Sequence, residues 1–499
     1  MSSLVIPLAA SALAVSACSA GSSSSSSSGG SGQSSSVSIG LGAAPKNLDF
    51  TQTAGAAIPQ ALMYNVYESL VKVDGEGKIQ PLLAKSWTIS PDRKTYDFVL
   101  EPSAKFSNGD AFTADDVKFS LERIKSWKAN TPKNLAAIDH VDVVSPTEAK
   151  VVLSKPDNNV LFWLAGPLGA MFTPNGVSDL ANKAVGTGPY TVDSYSTDES
   201  LVMKRNDSYW GKKPGVSGVT LKYYVDANAP TNALRSGEID VVYQAQALDQ
   251  VKSFESDKSF TVNVGTTQGI IYMSMNPTRA PFTDIRVRQA IEYGIDKKEV
   301  NTTVTNGYGK ITGEPVPSTD PWAEDKSSVY PYDPEKAKQL LADSGHSNMT
   351  VQFNVPSLPY SQSIGQVVKS ELAKIGVTVN LVTQEFPAVW LQNTFTQADY
   401  QMTVINHVEP RSFTNYADST YYWRLSDPAV NDAIASAASA PSDDEYVAGM
   451  RKAVDAVVAA APGDWLYNAP NVVLEKTGID GISKNDTGVA LDLTSLSRS

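Results

Sequence analysis

The sequence predicts an α/β fold, and three observations carry that expectation. Strand-like and helix-like segments alternate from Val37 onward. The stretch Met349 to Val382 reads as a complete strand, helix and strand in succession, the unit that builds parallel sheets with helices packed against them. No internal repeat and no second low-complexity stretch interrupts the alternation, and an α/β architecture follows.

Each element follows from its local chemistry. Thr95 to Leu100 (TYDFVL) alternates apolar and polar residues, as a half-buried strand does. Thr113 stands three residues before Asp116, a capping-box spacing, and the helix it opens carries Val117, Leu121 and Ile124 on one face before Trp127. A second helix starts at Asp333-Pro334, with Asp as cap and Pro in the first turn; it buries Ala337, Leu340 and Leu341 and stops at Gly345. In the 349–382 unit, Val351, Phe353 and Val355 mark the first strand and Ile364, Val367, Val368, Leu372 and Ile375 the helix. Gly376 stops that helix, and Val377, Val379 and Leu381 mark the second strand.

Composition narrows the function. A chain of 499 residues that is 41% hydrophobic and 19% charged can bury a sizeable core, with two lobes as the natural expectation. The formal charge of −12 opposes electrostatic binding to nucleic acid or anionic lipid. Cys18 is the only cysteine, which excludes an intrachain disulfide and any zinc or iron–sulfur site built on several cysteines. His140, His346 and His407 lie too far apart for an H-E-x-x-H metal helix, so no metal site or cofactor is expected.

The N-terminus reads as a processing segment. Leu4 to Ala17 is apolar or small throughout, but its 14 residues fall short of the roughly 20 that span a bilayer as a helix. It ends in Val15-Ser16-Ala17-Cys18, which resembles a bacterial lipobox, so residues 1–18 are expected to be a lipoprotein signal with Cys18 as the lipidation site. Residues 19–36 are nearly all Ser and Gly, as in a flexible tether.

Several segments of the body carry a resemblance. Leu83 to Ile124 (LAKSWTISPDRKTYDFVLEPSAKFSNGDAFTADDVKFSLERI) is the most specific. Gly186-Thr187-Gly188-Pro189-Tyr190, Arg205-Asn206-x-x-Tyr209-Trp210, Ala233 to Asp240 (ALRSGEID), Asp284 to Ile291 (DIRVRQAI), Tyr332 to Ala337 (YDPEKA) and Leu372 to Gly376 (LAKIG) follow in order. Together they resemble the extracellular solute-binding proteins of family 5, which serve peptide and nickel importers of the ABC type.

That resemblance implies a two-lobed periplasmic-binding-protein-like fold of type II, cluster C, with an extra subdomain inserted in the first lobe. The implied division is lobe 1 over 37–268 with the insert at about 68–184, lobe 2 over 269–469, and a C-terminal segment, 470–499, returning to lobe 1. It further implies a monomeric, non-enzymatic receptor on the extracytoplasmic face of the membrane. Such a receptor, held by a lipid anchor at Cys18, would close on an oligopeptide or dipeptide and pass it to an ABC permease. A metal chelate, haem or oligosaccharide is the alternative cargo, and a secreted hydrolase the distant alternative.

In relatives the segment after strand-like Tyr400 to Ile405 lines the cleft, which makes Asn406, His407, Glu409, Arg411 and Phe413 candidates for ligand binding. A carboxylate such as Glu409 suits an ammonium group, and Arg411 can hold a carboxylate bidentately. A structural ion pair between Glu409 and Arg411 is the plain alternative. Weaker candidates are Thr53, Ala54 and Gly55 after the first strand, Tyr272 at a chain crossing, Tyr360 in the loop opening a helix, and Trp390 as a stacking surface. No G-x-S-x-G elbow and no G-x-x-x-x-G-K-[ST] loop is present, which disfavours an enzyme.

Overall fold

A computed structural model describes residues 36–130 and 132–499 of the chain; the apolar N-terminal run, Cys18 and the Ser/Gly tract to residue 35 lie outside the described residues. The helix at Ala114–Glu122 begins as its sequence requires: the Thr113 N–H donates to Asp116 Oδ2 at 2.9 Å, completing the capping box. The Asp333 carboxylate caps Pro334–Asp343 by accepting from the Lys336 N–H at 2.9 Å, and Gly345 ends that segment at φ +78°. The βαβ unit is present as Thr350–Pro356, Pro359–Ala373 and Thr378–Gln384, with Thr350 opposite Thr378 in parallel register and Gly376 at φ +87°.

A ten-stranded mixed sheet forms the spine. Its spatial order is Thr378–Gln384, Thr350–Pro356, Met402–His407, Phe260–Met275, Gly463–Lys476, Val241–Val242, Ser36–Leu41, Gly218–Tyr223, Ser200–Arg205 and Tyr190–Ser196. Parallel pairs flank the middle on both sides, the two long strands in the middle run antiparallel to each other, and the edge formed by Gly218–Tyr223, Ser200–Arg205 and Tyr190–Ser196 is antiparallel. A separate four-stranded antiparallel sheet combines Ala84–Ile89, Thr95–Leu100, Glu148–Leu153 and Ile138–Ser145. Helix Ala114–Glu122 buries Val117 and Leu121 in the same apolar cluster as Phe98 and Val151 of that sheet.

The two long central strands position the site. Phe260–Met275 pairs with Gly463–Lys476 over nearly its whole length, but the register breaks between Thr266 and Ile270, opposite Pro470 and Asn468. Pro470 has no N–H to give to the ladder, and side chains take over locally: Thr267 Oγ1 donates to Ala469 O at 3.2 Å and accepts from the Gly269 N–H at 3.0 Å. On one side of the break the sheet packs into an apolar cluster containing Met273, Phe353, Ile364 and Leu372. On the other side Val473 joins the cluster containing Val37, Leu201, Leu221 and Phe98.

The motif segments converge by close backbone approach. A Cβ at Gly186 would stand 1.9 Å from Val66 O, and one at Gly188 2.4 Å from Asn65 O, so only glycine fits where this turn crosses the chain at 65–66. The C-terminal segment returns to the same region, burying Leu491, Leu493 and Leu496 in the cluster that holds Val37. Asn65 Nδ2 donates to Leu491 O at 2.7 Å, and the Leu493 N–H donates to Asn65 Oδ1 at 3.0 Å.

Candidate functional site

A cavity of about 1070 Å³ sits over the register break. Thr267, Gln268, Gly269, Ala469 and Pro470 form part of its wall, so the two central strands contribute from both sides of their discontinuity. Half-buried Phe162 and Trp163, from the short helix Val160–Ala165, supply apolar surface. Carboxamides supply part of the polar surface. Gln60 comes from the helix Ala57–Leu62, Gln244 follows the strand Val241–Val242, and Gln268 lies at the break itself. Gln268 Nε2 donates to Thr487 O at 2.8 Å, which fixes the amide and leaves Oε1 without a donor among the described residues.

Three of the predicted residues meet on this wall. Tyr360, in the first turn of the helix Pro359–Ala373, accepts through its hydroxyl from the Asn406 N–H at 2.8 Å, tying that helix to the end of the strand Met402–His407. Both residues line the cavity. Glu409 lines it too, as an exposed side chain rather than a buried one; its Oε2 accepts from the Tyr421 hydroxyl at 2.9 Å.

The other predicted residues stand off the wall, each for a packing reason. His407 Nε2 shares a 2.8 Å hydrogen bond with Ser412 Oγ, and its ring packs against Tyr421, Tyr422 and Trp423. Burial pushes the imidazole down to about 4, outweighing the opposing pull of Glu409, so it is neutral at ordinary pH. The Arg411 guanidinium lies behind the wall, 4.3 Å from the Phe162 ring centre and 4.4 Å from that of Trp322. It pairs with the buried Asp320 at 3.2 Å and so does not present itself to a ligand carboxylate, and its partner is Asp320 rather than Glu409.

Tyr272 and Phe413 belong to an aromatic core with Tyr416, Trp423 and Trp465; the Tyr272 hydroxyl donates to Pro462 O at 3.0 Å. Trp390 is buried and donates to Thr403 Oγ1 at 3.1 Å. Thr53, Ala54 and Gly55 form a turn in which Asn47 Nδ2 donates to Thr53 Oγ1 at 2.9 Å; the cavity wall begins one residue later, at Ala56. Cys18 lies outside the described residues.

Sequence reasoning missed Gln60, Gln244 and Gln268, the Phe162-Trp163 pair and Asp486. These residues come from distant parts of the chain and show no local pattern. Gln244 Nε2 reaches Asp486 Oδ2 at 2.7 Å across 242 positions. Among the described residues, Asp486 and Glu409 are the only acids on the wall, and no Lys, Arg or His side chain lines it. Among the described residues no group of three or more His, Cys, Asp or Glu side chains is placed to hold a metal ion, and no helix is long and apolar enough to cross a membrane.

Comparison with known proteins follows the same lines. The profile of the family described as "Bacterial extracellular solute-binding proteins, family 5 Middle" matches residues 78–466. The chain is 29% identical over 373 residues to Heme-binding protein A of Haemophilus influenzae, an alignment covering 66% of this chain and 68% of that protein. It is 28% identical over 344 residues to Glutathione-binding protein GsiB of Escherichia coli, covering 66% of each. Among solved structures, the periplasmic binding protein DppA of Helicobacter pylori in complex with the peptide STSA superposes with a TM-score of 0.73. That match is 22% identical and covers 93% of this chain and 98% of the other, which establishes a shared fold.

Proposed function

The chain belongs to the bacterial extracellular solute-binding proteins of family 5, and from that premise we propose that it is the lipid-anchored receptor of an ABC importer, capturing peptide-like solutes in the cavity over the register break. In this reading 37–268 forms one lobe, with an insert at about 68–184, and 269–469 forms the other; 470–499 returns to the first. The break between Thr266 and Ile270 is then the hinge. Ligand stabilises closure by contacting both lobes at once.

The observation that carries the reading is the cavity wall. Its volume of about 1070 Å³ lies at the upper end of small-solute pockets, larger than one amino acid requires. Carboxamides and hydroxyls offer partners for the main-chain groups common to all peptides, and Glu409 stands open for an ammonium terminus. His407 stands off the wall with its Nε2 engaged by Ser412 Oγ, so it does not present itself to a metal chelate in the cavity.

Calorimetry with tripeptides tests this. Glu409→Gln is expected to weaken free-amine tripeptides by about 3- to 10-fold, the scale of an exposed charge pair, and to leave N-acetylated ones unchanged. Equal loss for both removes Glu409 from the role. Recovery of haem or a metal chelate from the purified protein by native mass spectrometry, with no peptide bound, overturns the peptide reading. The anchor is tested separately. Cys18→Ser should abolish palmitate labelling and move the protein from the membrane to the soluble fraction; unchanged fractionation rejects a lipid anchor.

A further inference from the structure

Asp486 is a carboxylate whose countercharge is missing. Its backbone N–H donates to Thr266 O at 2.8 Å, which ties it to the register break, and the open part of its partly buried side chain faces the cavity. Three buried acids in this chain have cations: Asp320 has Arg411, Asp464 has Lys297 at 3.0 Å, and Asp240 has Lys476 at 2.9 Å; buried Glu68, away from the cavity, is held by neutral donors instead. Asp486 forms no ion pair with any Lys or Arg among the described residues and receives only the Gln244 amide, at 2.7 Å, and the Gly488 N–H.

Its hydrogen-bond partners among the described residues are uncharged. The hairpin before Lys78 packs against its two sequence neighbours through backbone oxygens, Asp74 O accepting from Thr487 Oγ1 and Gly75 O from Asn485 Nδ2, and the Asp74 carboxylate is itself engaged by Gln80. Tyr243 and Gln244 face it from the strand Val241–Val242 and its continuation, and Thr266 from the long strand. The Tyr243 phenol is pushed well above its ordinary value by burial, with the Asp486 charge adding to it, so it stays protonated. On its own segment, Lys484 is exposed and does not line the cavity.

We propose that Asp486 is the counter-ion for a positively charged side group of the solute, which makes this receptor selective for amino- or guanidinium-bearing peptides over neutral and acidic ones. The proposal rests on the peptide reading above: Glu409 takes the terminal ammonium, and Asp486 takes a second cation. A cavity whose described lining holds two acids and no cation disfavours a ligand with surplus negative charge, whereas a basic side chain supplies what burial has left uncompensated.

The same arrangement sets a pH dependence. Burial raises the Asp486 carboxyl to about 7 in the free protein, partly offset by the Gly488 N–H and Gln244. A cationic ligand binds the ionised form, so affinity rises with pH through 7 and levels off above it.

The test measures by calorimetry the lysine tripeptides Lys-Ala-Ala, Ala-Lys-Ala and Ala-Ala-Lys against the same peptides with norleucine in place of lysine. At least one lysine peptide is expected to bind ten-fold or more tightly than its norleucine counterpart at pH 8. Its affinity should fall about ten-fold between pH 8 and pH 6, while that of the norleucine peptide stays flat. Asp486→Asn, which keeps an oxygen for Gln244, should erase both the preference and the pH dependence and leave the norleucine peptide within about three-fold of wild type. Equal binding of lysine and norleucine peptides to the wild-type protein overturns the proposal while the peptide function stands. Equal weakening of both by Asp486→Asn shows a structural role and overturns it too. Failure of every peptide to bind overturns both readings.

Discussion

Glu68 has no part in the cavity, yet it explains why two of the motif segments occur together. Its carboxyl is fully buried and accepts from Thr187 Oγ1 at 2.8 Å, the Tyr209 hydroxyl at 2.6 Å and Trp210 Nε1 at 3.0 Å. Thr187 belongs to the Gly186–Tyr190 turn, and Tyr209 and Trp210 close the segment that starts at Arg205. Burial raises this carboxyl to about 7 against the lowering pull of those donors. A raised carboxyl favours the protonated folded state, so its contribution is fully present below the unfolded value of 4.5 and is lost as pH climbs to about 7. The loss amounts to roughly 3 kcal/mol across that window. Glu68→Gln mimics the protonated form and is expected to fold normally while flattening the fall in stability between pH 5 and pH 8. Glu68→Ala leaves the buried Thr187 hydroxyl and the half-buried Tyr209 and Trp210 donors without their acceptor and is expected to cost about 2 kcal/mol or more at pH 5. Urea unfolding at both pH values checks this; a Gln variant that keeps the wild-type slope would assign the dependence to other groups.

At the scale of elements, what could be read from the sequence depended on how far apart the deciding residues lie. The capping box at Thr113, the Asp333 cap and the 349–382 unit are local patterns, and each appears where its spacing places it. The strand Phe260–Met275 is different. Thr266, Thr267, Gln268 and Gly269 in its middle break any alternation, and only pairing with Gly463–Lys476, about 200 positions away, makes one strand of sixteen residues. The site divides the same way. Asn406, Glu409 and Tyr360 were legible because they follow a readable strand or open a readable helix. Arg411 was misleading because its neighbours in sequence face the cavity, while its own side chain turns back to Asp320 and the Phe162 and Trp322 rings. Asp486 was invisible because nothing near it in sequence distinguishes it from a surface acid; only Gln244 and the cavity do.

At the scale of the whole molecule, contacts at the rim of the insert bear on closure. Arg93 follows the strand Ala84–Ile89; its Nε donates to Asn158 Oδ1 at 2.7 Å, and its guanidinium pairs with Asp443 at the start of the helix Asp443–Ala460. Asn158 Nδ2 in turn donates to Ala438 O at 3.3 Å, and Phe162 carries the Arg411 guanidinium on its face. In the proposed division, the Arg93–Asp443, Asn158–Ala438 and Phe162–Arg411 contacts each join the insert in the first lobe to the second lobe, while Arg93–Asn158 braces the insert itself, so the three crossing contacts exist only when the cavity is covered. They therefore weight the closed form before any ligand arrives, and removing one should shift the population toward open without touching a ligand. Asp443 is the side chain to change, because it is 68% exposed and its loss disturbs no core, whereas Arg93 is 9% exposed. Asp443→Asn is expected to increase the radius of gyration of the ligand-free protein in small-angle scattering and to weaken ligand about 3- to 10-fold, the effect of about 1 kcal/mol on closure. Saturating ligand should restore the wild-type profile, since binding energy then outweighs the missing contact. High salt, which screens a half-exposed ion pair, should move the wild-type protein part of the way toward the variant. Identical ligand-free profiles and identical affinities for variant and wild type would show that the rim contacts do not govern closure, and would leave the register break between Thr266 and Ile270 as the element that sets it.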